Sequence, residues 1–273
     1  MEPLEIQNKE TIRFVEQMNK YAAGIGMSNS TFVTPSGLGI NGIGNKSTAR
    51  DLAKLCVECS YNEILSHIWC TSEKTIMVND GEINVLTSFR TKQLSDSYPV
   101  LGGKTGSNGV DAFTLVCLTK INGMKVAGAV MGAMSNSDRF VAMKQLFDCA
   151  KLSMKKQHVP ENYVTASVSA CALMVPPVRR LNPVLLYEQN ADTVLSPMST
   201  TKLLSVLTAL DYINDLNTRI QIAEDDLIGT EGTSGSIFNT GDIITINDLL
   251  YAILLPSSNQ GANALARYVG GII

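Results

Sequence analysis

Apolar side chains recur at intervals of three and four positions along six segments of the chain, the spacing that marks one face of an α-helix. Gly24 and Gly26 end the first segment, and Pro256 ends the fifth. The pattern predicts helices over residues 10–24, 48–59, 138–154, 199–214, 246–254 and 260–269.

The central part of the chain follows a strand-like pattern instead. Runs rich in β-formers, 112–119 and 125–131, flank an Asn-Gly pair, which is the strongest short signal for a β-hairpin. Two more strands are expected over 168–175 and 184–188, after a polar stretch that begins at Lys155. Strands in the middle with helices on both sides predict an α/β or α+β arrangement around one antiparallel sheet.

Composition places the chain among globular proteins. Its 273 residues are 45% hydrophobic, enough to bury a substantial core. The net charge of −3, with both signs interspersed, argues against nucleic acid as a partner. The longest apolar runs fall short of the roughly 20 residues that cross a bilayer, so no transmembrane segment is expected. The first residues lack the basic start and apolar run of a secretory signal.

The cysteines predict buried free thiols and no metal site. Cys56 and Cys59 form a C-x-x-C pair, but no second pair accompanies them and only His67 is near. Free cysteine behaves as a small core residue, so we expect all six to be buried. They are Cys56, Cys59, Cys70, Cys117, Cys149 and Cys171.

A serine and a lysine at the start of the helix predicted from residue 199 form the first candidate for catalysis. Lys202 follows Ser199 by three positions, which places its amine one helical turn from the hydroxyl. A serine nucleophile needs such a base, and lysine serves only when burial or a nearby cation lowers its pKa. Lys104 is a candidate for that cation. The alternative is that Ser199 merely caps the helix.

Two further segments favour the catalytic interpretation. Ser257, Ser258 and Asn259 follow a proline between two predicted helices and would place a hydroxyl and a carboxamide on one loop. The segment Lys104-Thr105-Gly106 leads into the predicted hairpin, where glycine allows close approach of a ligand at a sheet edge. Other matches, Ser153–Lys156 and Ser60–Asn62, have no partner motifs and are interpreted as structural.

The three motifs together resemble those of penicillin-binding proteins and β-lactamases. The resemblance is closest to the low-molecular-mass, serine-type D-alanyl-D-alanine carboxypeptidases, and residues 14–55, 183–210 and 241–271 carry it. It implies a β-lactamase/transpeptidase-like fold. That fold is an α+β sandwich in which a five-stranded antiparallel sheet has helices on both faces, with a helical subdomain beside it.

The order of the motifs is inverted relative to this family, which presents the serine motif before the lysine-threonine-glycine motif. We therefore expect a single catalytic domain, 1–273, with a circularly permuted sequence. Residues 1–154 would be the C-terminal half of the family order, 155–166 a linker, and 167–273 the N-terminal half. The two chain ends should lie close together, since neighbouring ends make permutation tolerable. We expect a monomer, with a swapped dimer as the alternative.

The resemblance also implies a role for each motif residue. Ser199 would be the acylated nucleophile, Lys202 its base, Ser257 a proton relay, Asn259 a contact to the substrate backbone, and Lys104 a positive charge toward the substrate carboxylate. Substrate contacts would come from Thr105, Gly106, Ser107 and Ser258, with the amides of Ser199 and Ser107 forming the oxyanion hole.

These roles describe a D-Ala-D-Ala carboxypeptidase without a cofactor. Its substrate would be a peptidoglycan stem peptide outside the cytoplasm, in the cell envelope, and β-lactam antibiotics would be covalent inhibitors. A β-lactamase is the runner-up, although the sequence lacks the E-x-x-L-N segment of class A enzymes. A non-catalytic binding module of the same fold is the third candidate. The residues after the triplet, 107–113, depart from the family pattern, which leaves specificity open.

Overall fold

The computed structural model describes residues 7–39, 42–89, 92–108, 112–160 and 165–273. Its helices are α1 Lys9–Gly24, α2 Ala49–Cys59, α3 Glu63–Trp69, α4 Lys92–Ser95, α5 Asp138–Met154, α6 Thr201–Leu210, α7 Glu224–Leu227, α8 Ile246–Leu254 and α9 Asn259–Ile272. Its strands are β1 Glu73–Val78, β2 Gly81–Leu86, β3 Val100–Ser107, β4 Phe113–Ile121, β5 Met124–Ala133, β6 Ser169–Met174, β7 Val184–Gln189, β8 Arg219–Gln221 and β9 Ile243–Thr245.

A five-stranded antiparallel sheet forms the centre of the molecule. Its strand order is β3-β4-β5-β6-β7, so β3, which carries Lys104, is an edge strand. The Asn-Gly signal forms the β4–β5 turn, where Asn122 and Gly123 both have positive φ, 49° and 84°. This sheet confirms the antiparallel α/β fold predicted from the sequence.

Helices cover both faces of the sheet because successive side chains of its strands point to opposite sides. On β4, Val116 and Leu118 belong to the core that contains α2, whereas Leu115 and Cys117 belong to the core that contains α5. Thr48 caps the first turn of α2 by accepting a hydrogen bond from the amide of Asp51. The two cores fix the sheet between the helices.

A second antiparallel sheet, in the order β2-β1-β9-β8, was not predicted. Two of its strands, β8 and β9, are three residues long, too short for the alternation of polar and apolar residues to be visible. Helix α8 begins directly after β9 and packs on this sheet near the loop of Ser257.

The first and last helices of the chain pack against each other. The guanidinium of Arg13 donates to the carbonyl of Gly270 at 3.1 Å. A Cβ atom on Gly270 would lie 1.8 Å from the carbonyl oxygen of Glu10, so only glycine fits there. The start of α1 therefore touches the end of α9. Met1, one of the two ends expected to be neighbours, lies outside the described residues, as do residues 161–164 of the expected linker.

The six cysteines are free thiols, and five of them are buried as expected. The expectation was wrong for Cys70, which is exposed because it follows the last residue of α3, where its thiol donates to the carbonyl of His67. Within the described ranges, no helix combines the length and the apolar character needed to cross a membrane.

Candidate active site

Ser199 lies in a 3₁₀ turn, Met198–Thr200, that leads directly into α6. The predicted helix of residues 199–214 is therefore shorter, with its α-helical part ending at Leu210. The N-cap of α6 is Thr200, and it makes no side-chain capping bond. Met198 has a φ of 51°, in the left-handed region that a residue with a side chain seldom adopts. Ser199 is thus placed by a strained turn and does not cap the helix.

Lys202 is the centre of a compact hydrogen-bond network. Its Nζ lies 3.0 Å from the Oγ of Ser199 and donates to the Oδ1 of Asn259 at 2.6 Å and to the carbonyl of Ser36 at 2.7 Å. The side chain is fully buried. Burial, followed by the charge of Lys104, holds the pKa of Lys202 well below its ordinary value.

Lys104 is the second buried lysine of the site. It projects from the edge strand β3, and its Nζ donates to the Oγ of Ser257 at 2.8 Å and to the carbonyl of Thr105 at 3.1 Å. Burial, followed by the charge of Arg139, lowers the pKa of Lys104 to about 7. At neutral pH this amine is therefore close to its titration midpoint.

The loop between α8 and α9 supplies the other side of the network. Ser257 has a φ of 69°, a second left-handed residue at this site. Ser258 is the N-cap of α9, where its Oγ accepts from the amide of Gly261 at 3.1 Å. This geometry differs from the expected substrate contact, because Ser258 is fully buried in its capping role. Asn259 is the first residue of the helix, and its amide points back toward Lys202.

The end of β3 lies against the nucleophile. A Cβ atom on Gly106 would lie 3.0 Å from the Cβ of Met198 and 3.2 Å from the amide nitrogen of Ser199, so glycine permits this contact. The hydroxyl of Thr105 lies 3.3 Å from that of Ser88. Ser107 is exposed at the end of the strand and lines the same cleft as Ser199. The departures at residues 109–111 lie outside the described residues.

The structure thus brings residues from four distant segments around one cleft of about 1090 Å³. Ser199, Ser107 and Asn259 line that cleft, and Gly37 and Lys46 line it as well. The two buried amines lie behind the lining residues, each in contact with a serine hydroxyl. The arrangement has the parts that acyl transfer needs: a hydroxyl nucleophile, a base and donors for a developing negative charge.

Three contributors to the site were not predicted from the sequence. The carbonyl of Ser36 is a backbone group, and no residue type signals its use. Thr233 accepts from the Nδ2 of Asn259 at 2.9 Å, from a loop whose serine and threonine content is ordinary for a turn. Arg139 is buried, and its Nη1 donates to the carbonyl of Gly106 at 3.1 Å. It lies in the first turn of α5 and belongs to none of the motifs identified in the sequence.

A family model described as D-alanyl-D-alanine carboxypeptidase, Peptidase S11, matches residues 9–135 and 180–272. The chain is 32% identical over 158 residues to a D-alanyl-D-alanine endopeptidase of Escherichia coli (strain K12), a match covering 53% of this chain and 49% of that protein. It is 30% identical over 138 residues to the D-alanyl-D-alanine carboxypeptidase DacF of Bacillus subtilis (strain 168), covering 50% of this chain and 34% of that protein.

These matches span half or less of the length of the curated relatives. Among solved structures, a D-alanyl-D-alanine carboxypeptidase from Mycobacterium tuberculosis H37Rv is similar with a TM-score of 0.40 and 27% identity. That match covers 45% of this chain and 46% of the other.

Proposed function

Because this chain belongs to the D-alanyl-D-alanine carboxypeptidase family Peptidase S11, we propose that it is a serine peptidase that transfers an acyl group from a peptidoglycan stem peptide to Ser199 and then to water. Terminal D-alanine is the product released in the first step. The observation that carries the proposal is the contact of 3.0 Å between the Oγ of Ser199 and the buried Nζ of Lys202.

The network around Lys202 supports its role as the base. A neutral lysine amine has two hydrogens and one lone pair. The carbonyl of Ser36 and the Oδ1 of Asn259 can only accept, so they take both hydrogens. The lone pair is then directed at the hydroxyl of Ser199, whose proton it can take. Burial, followed by the charge of Lys104, lowers the pKa of Lys202 and so favours this neutral form.

Both halves of the proposed reaction use Ser199 and Lys202. In acylation, the oxygen of Ser199 bonds to the peptide carbonyl carbon while its proton passes to Lys202. The C–N bond breaks, and the leaving amine takes this proton from Lys202 through the hydroxyl of Ser257, which contacts Lys104, so Lys202 is neutral again. In deacylation, a water molecule gives a proton to neutral Lys202 and attacks the ester, and the C–O bond to Ser199 breaks as the serine oxygen takes that proton back from Lys202.

The remaining motif residues are proposed to bind the substrate. Lys104 and Thr105 face the terminal carboxylate, and Arg139 adds positive charge behind them. Asn259 contacts the substrate backbone, and the amides of Ser199 and Ser107 stabilise the oxyanion. Gly106 lets the strand approach the nucleophile. Ser258 acts indirectly by capping the helix that starts with Asn259.

We also propose that the domain, 1–273, is a circularly permuted, monomeric form of the family fold that acts in the cell envelope. The contact between Glu10 and Gly270 supports this, because a family-order chain would run from the end of α9 into α1. Lys104 and Ser257 also meet within one chain, 153 residues apart, so catalysis needs no exchange of halves between copies. A domain-swapped dimer remains the alternative arrangement.

The proposal is tested by intact-mass measurement after exposure to a penicillin. Opening of the β-lactam ring releases no leaving group, so the wild-type protein should gain the full mass of one penicillin molecule. Ser199→Ala should gain none. A model stem peptide ending in D-Ala-D-Ala should release D-alanine with the wild type only. An adduct that persists in Ser199→Ala would refute the assignment of the nucleophile.

Two other outcomes would point to the competing functions. Sustained hydrolysis of a chromogenic cephalosporin without stalling would favour a β-lactamase. Penicillin binding to a folded protein without any covalent adduct would favour a binding module.

A further inference from the structure

A loop over residues 230–238 is fastened to the segment that carries Asn259. The amide of Phe238 donates to the Oε1 of Gln260 at 3.0 Å. A Cβ atom on Gly235 would lie 2.5 Å from the amide nitrogen of Ser258, so the two backbones are in direct contact. These contacts hold the loop against the start of α9, where the hydroxyl of Thr233 meets the side chain of Asn259.

The hydrogen-bond direction at Thr233 is determined by its two partners. Its Oγ1 lies 2.7 Å from the carbonyl oxygen of Thr230, which can only accept. The hydroxyl proton of Thr233 is therefore used in that bond, and its oxygen must accept from the group on its other side. That group is the side-chain amide of Asn259, at 2.9 Å, so the atom facing Thr233 is the NH₂ nitrogen.

The orientation of this amide decides what Lys202 meets. With Nδ2 facing Thr233, the Oδ1 of Asn259 faces the Nζ of Lys202 at 2.6 Å and accepts one of its hydrogens. A rotated amide would present N–H groups to the amine instead and would compete with Ser199 for its lone pair. The position of one proton on Thr233 thus controls where the lone pair of Lys202 points.

We propose that Thr233 is a positioning residue, which orients the amide of Asn259 and so directs the lone pair of Lys202 at the hydroxyl of Ser199. The inference rests on the proposed acyl transfer at Ser199. Thr233 itself touches neither the nucleophile nor the base, and its effect passes through Asn259.

The chain offers a matched set of variants. Thr233→Val keeps the shape of the side chain but removes the hydroxyl, and Thr233→Ser restores it. Ser236→Ala is the control for loop stability, because the Oγ of Ser236 donates within the loop, to the carbonyls of Thr230 at 2.8 Å and Thr233 at 3.0 Å. The rate of acylation by a fluorescent penicillin is measured for all four proteins across a range of pH.

Thr233→Val should acylate about 10-fold to 100-fold more slowly, the effect expected when a buried polar group loses its partner. The acid limb of its pH–rate profile, where the rate falls as Lys202 is protonated, should move to lower pH. The reason is that a rotated amide that donates to the amine of Lys202 favours the neutral form of that amine. Thr233→Ser and Ser236→Ala should resemble the wild type. A loosened loop would instead admit water, raise the pKa of Lys202 and move the acid limb to higher pH.

Three results would overturn the proposal: a wild-type rate in Thr233→Val, no recovery in Thr233→Ser, or an acid limb that moves to higher pH. A second readout needs no reaction at Ser199, namely the NMR titration of the Lys202 Cε signal, assigned with Lys202→Met. Its apparent pKa should fall in Thr233→Val alone. An unchanged titration refutes the role of Thr233, whereas absence of a penicillin adduct in the wild type refutes the proposed function.

Discussion

Replacing Lys104 with methionine should change how the stability of the protein depends on pH. Lys104 is 1% exposed, and its pKa falls from 10.5 to about 7 in the folded protein, first through burial and then through the charge of Arg139. Below that value the folded and unfolded chains both hold the proton, and the folded state bears the full cost of a buried charge. Between the two pKa values only the unfolded chain holds it, so stability rises with pH.

The size of the effect follows from the displacement of the pKa of Lys104. Each unit of pKa corresponds to 1.36 kcal/mol, so the cost near and below pH 7 is about 5 kcal/mol. From pH 7.5 to 8.5 the wild type should gain about 1 kcal/mol that Lys104→Met does not gain. The substitution should therefore stabilise the protein, most at low pH, while it impairs binding of an anionic substrate.

Urea unfolding at several pH values between 7 and 9 measures this difference. The buried thiols are present in both proteins, so their ionisation cancels when the two curves are subtracted. Lys120→Met, at an exposed position of β4, is the control and should give a curve parallel to that of the wild type. If the Lys104→Met curve is also parallel, the folded protein keeps Lys104 charged throughout, and the account of a low-pKa amine beside Ser257 is wrong.

The remaining predictions concern the strand beside the nucleophile and the order of the chain. Gly106→Ala should slow acylation at least about 10-fold, because its Cβ would lie 2.9 Å from the carbonyl oxygen of Pro197 and 3.2 Å from the amide nitrogen of Ser199, so the turn that holds the nucleophile must shift. A normal rate would show that the strand can move aside. Arg139→Gln should raise the pKa of Lys104, moving the pH range of rising stability upward in the same urea titration, and an unmoved range would contradict this cause. A chain reordered as residues 167–273 followed by 8–154 should fold and acylate like the natural one, whereas failure to fold would argue against permutation.

The fold was predictable where its elements are long and periodic. The Asn-Gly turn and the β-forming runs around it predicted the centre of the sheet, and α1, α2, α5, α8 and α9 appear close to their predicted ranges. The second sheet was not predictable from the sequence, because β8 and β9 are held by pairing with distant strands and are too short to show a polar–apolar pattern of their own. The exposed Cys70 shows a similar limit: residue type predicts average burial, but the end of a short helix decided its exposure.

The candidate site was predictable in so far as its chemistry depends on residue type. Ser199, Lys202, Ser257, Asn259 and Lys104 belong to recognisable motifs, and the structure brings them into contact, while their roles stay predictions. The partners that orient them were not visible, since a backbone carbonyl at residue 36 has no sequence signal. The orientation of the Thr233 hydroxyl was not visible either, because it depends on the folded loop over residues 230–238.

The left-handed backbone at Met198 and Ser257 affects how the stability of this protein can be improved. Each non-glycine residue held in that region costs on the order of 1–3 kcal/mol, a cost that glycine avoids. A library selected only for thermal stability would therefore enrich glycine at both positions. It would lose the hydroxyl of Ser257 and loosen the turn before Ser199. Improving the stability of this protein by selection would thus require a simultaneous screen for acylation.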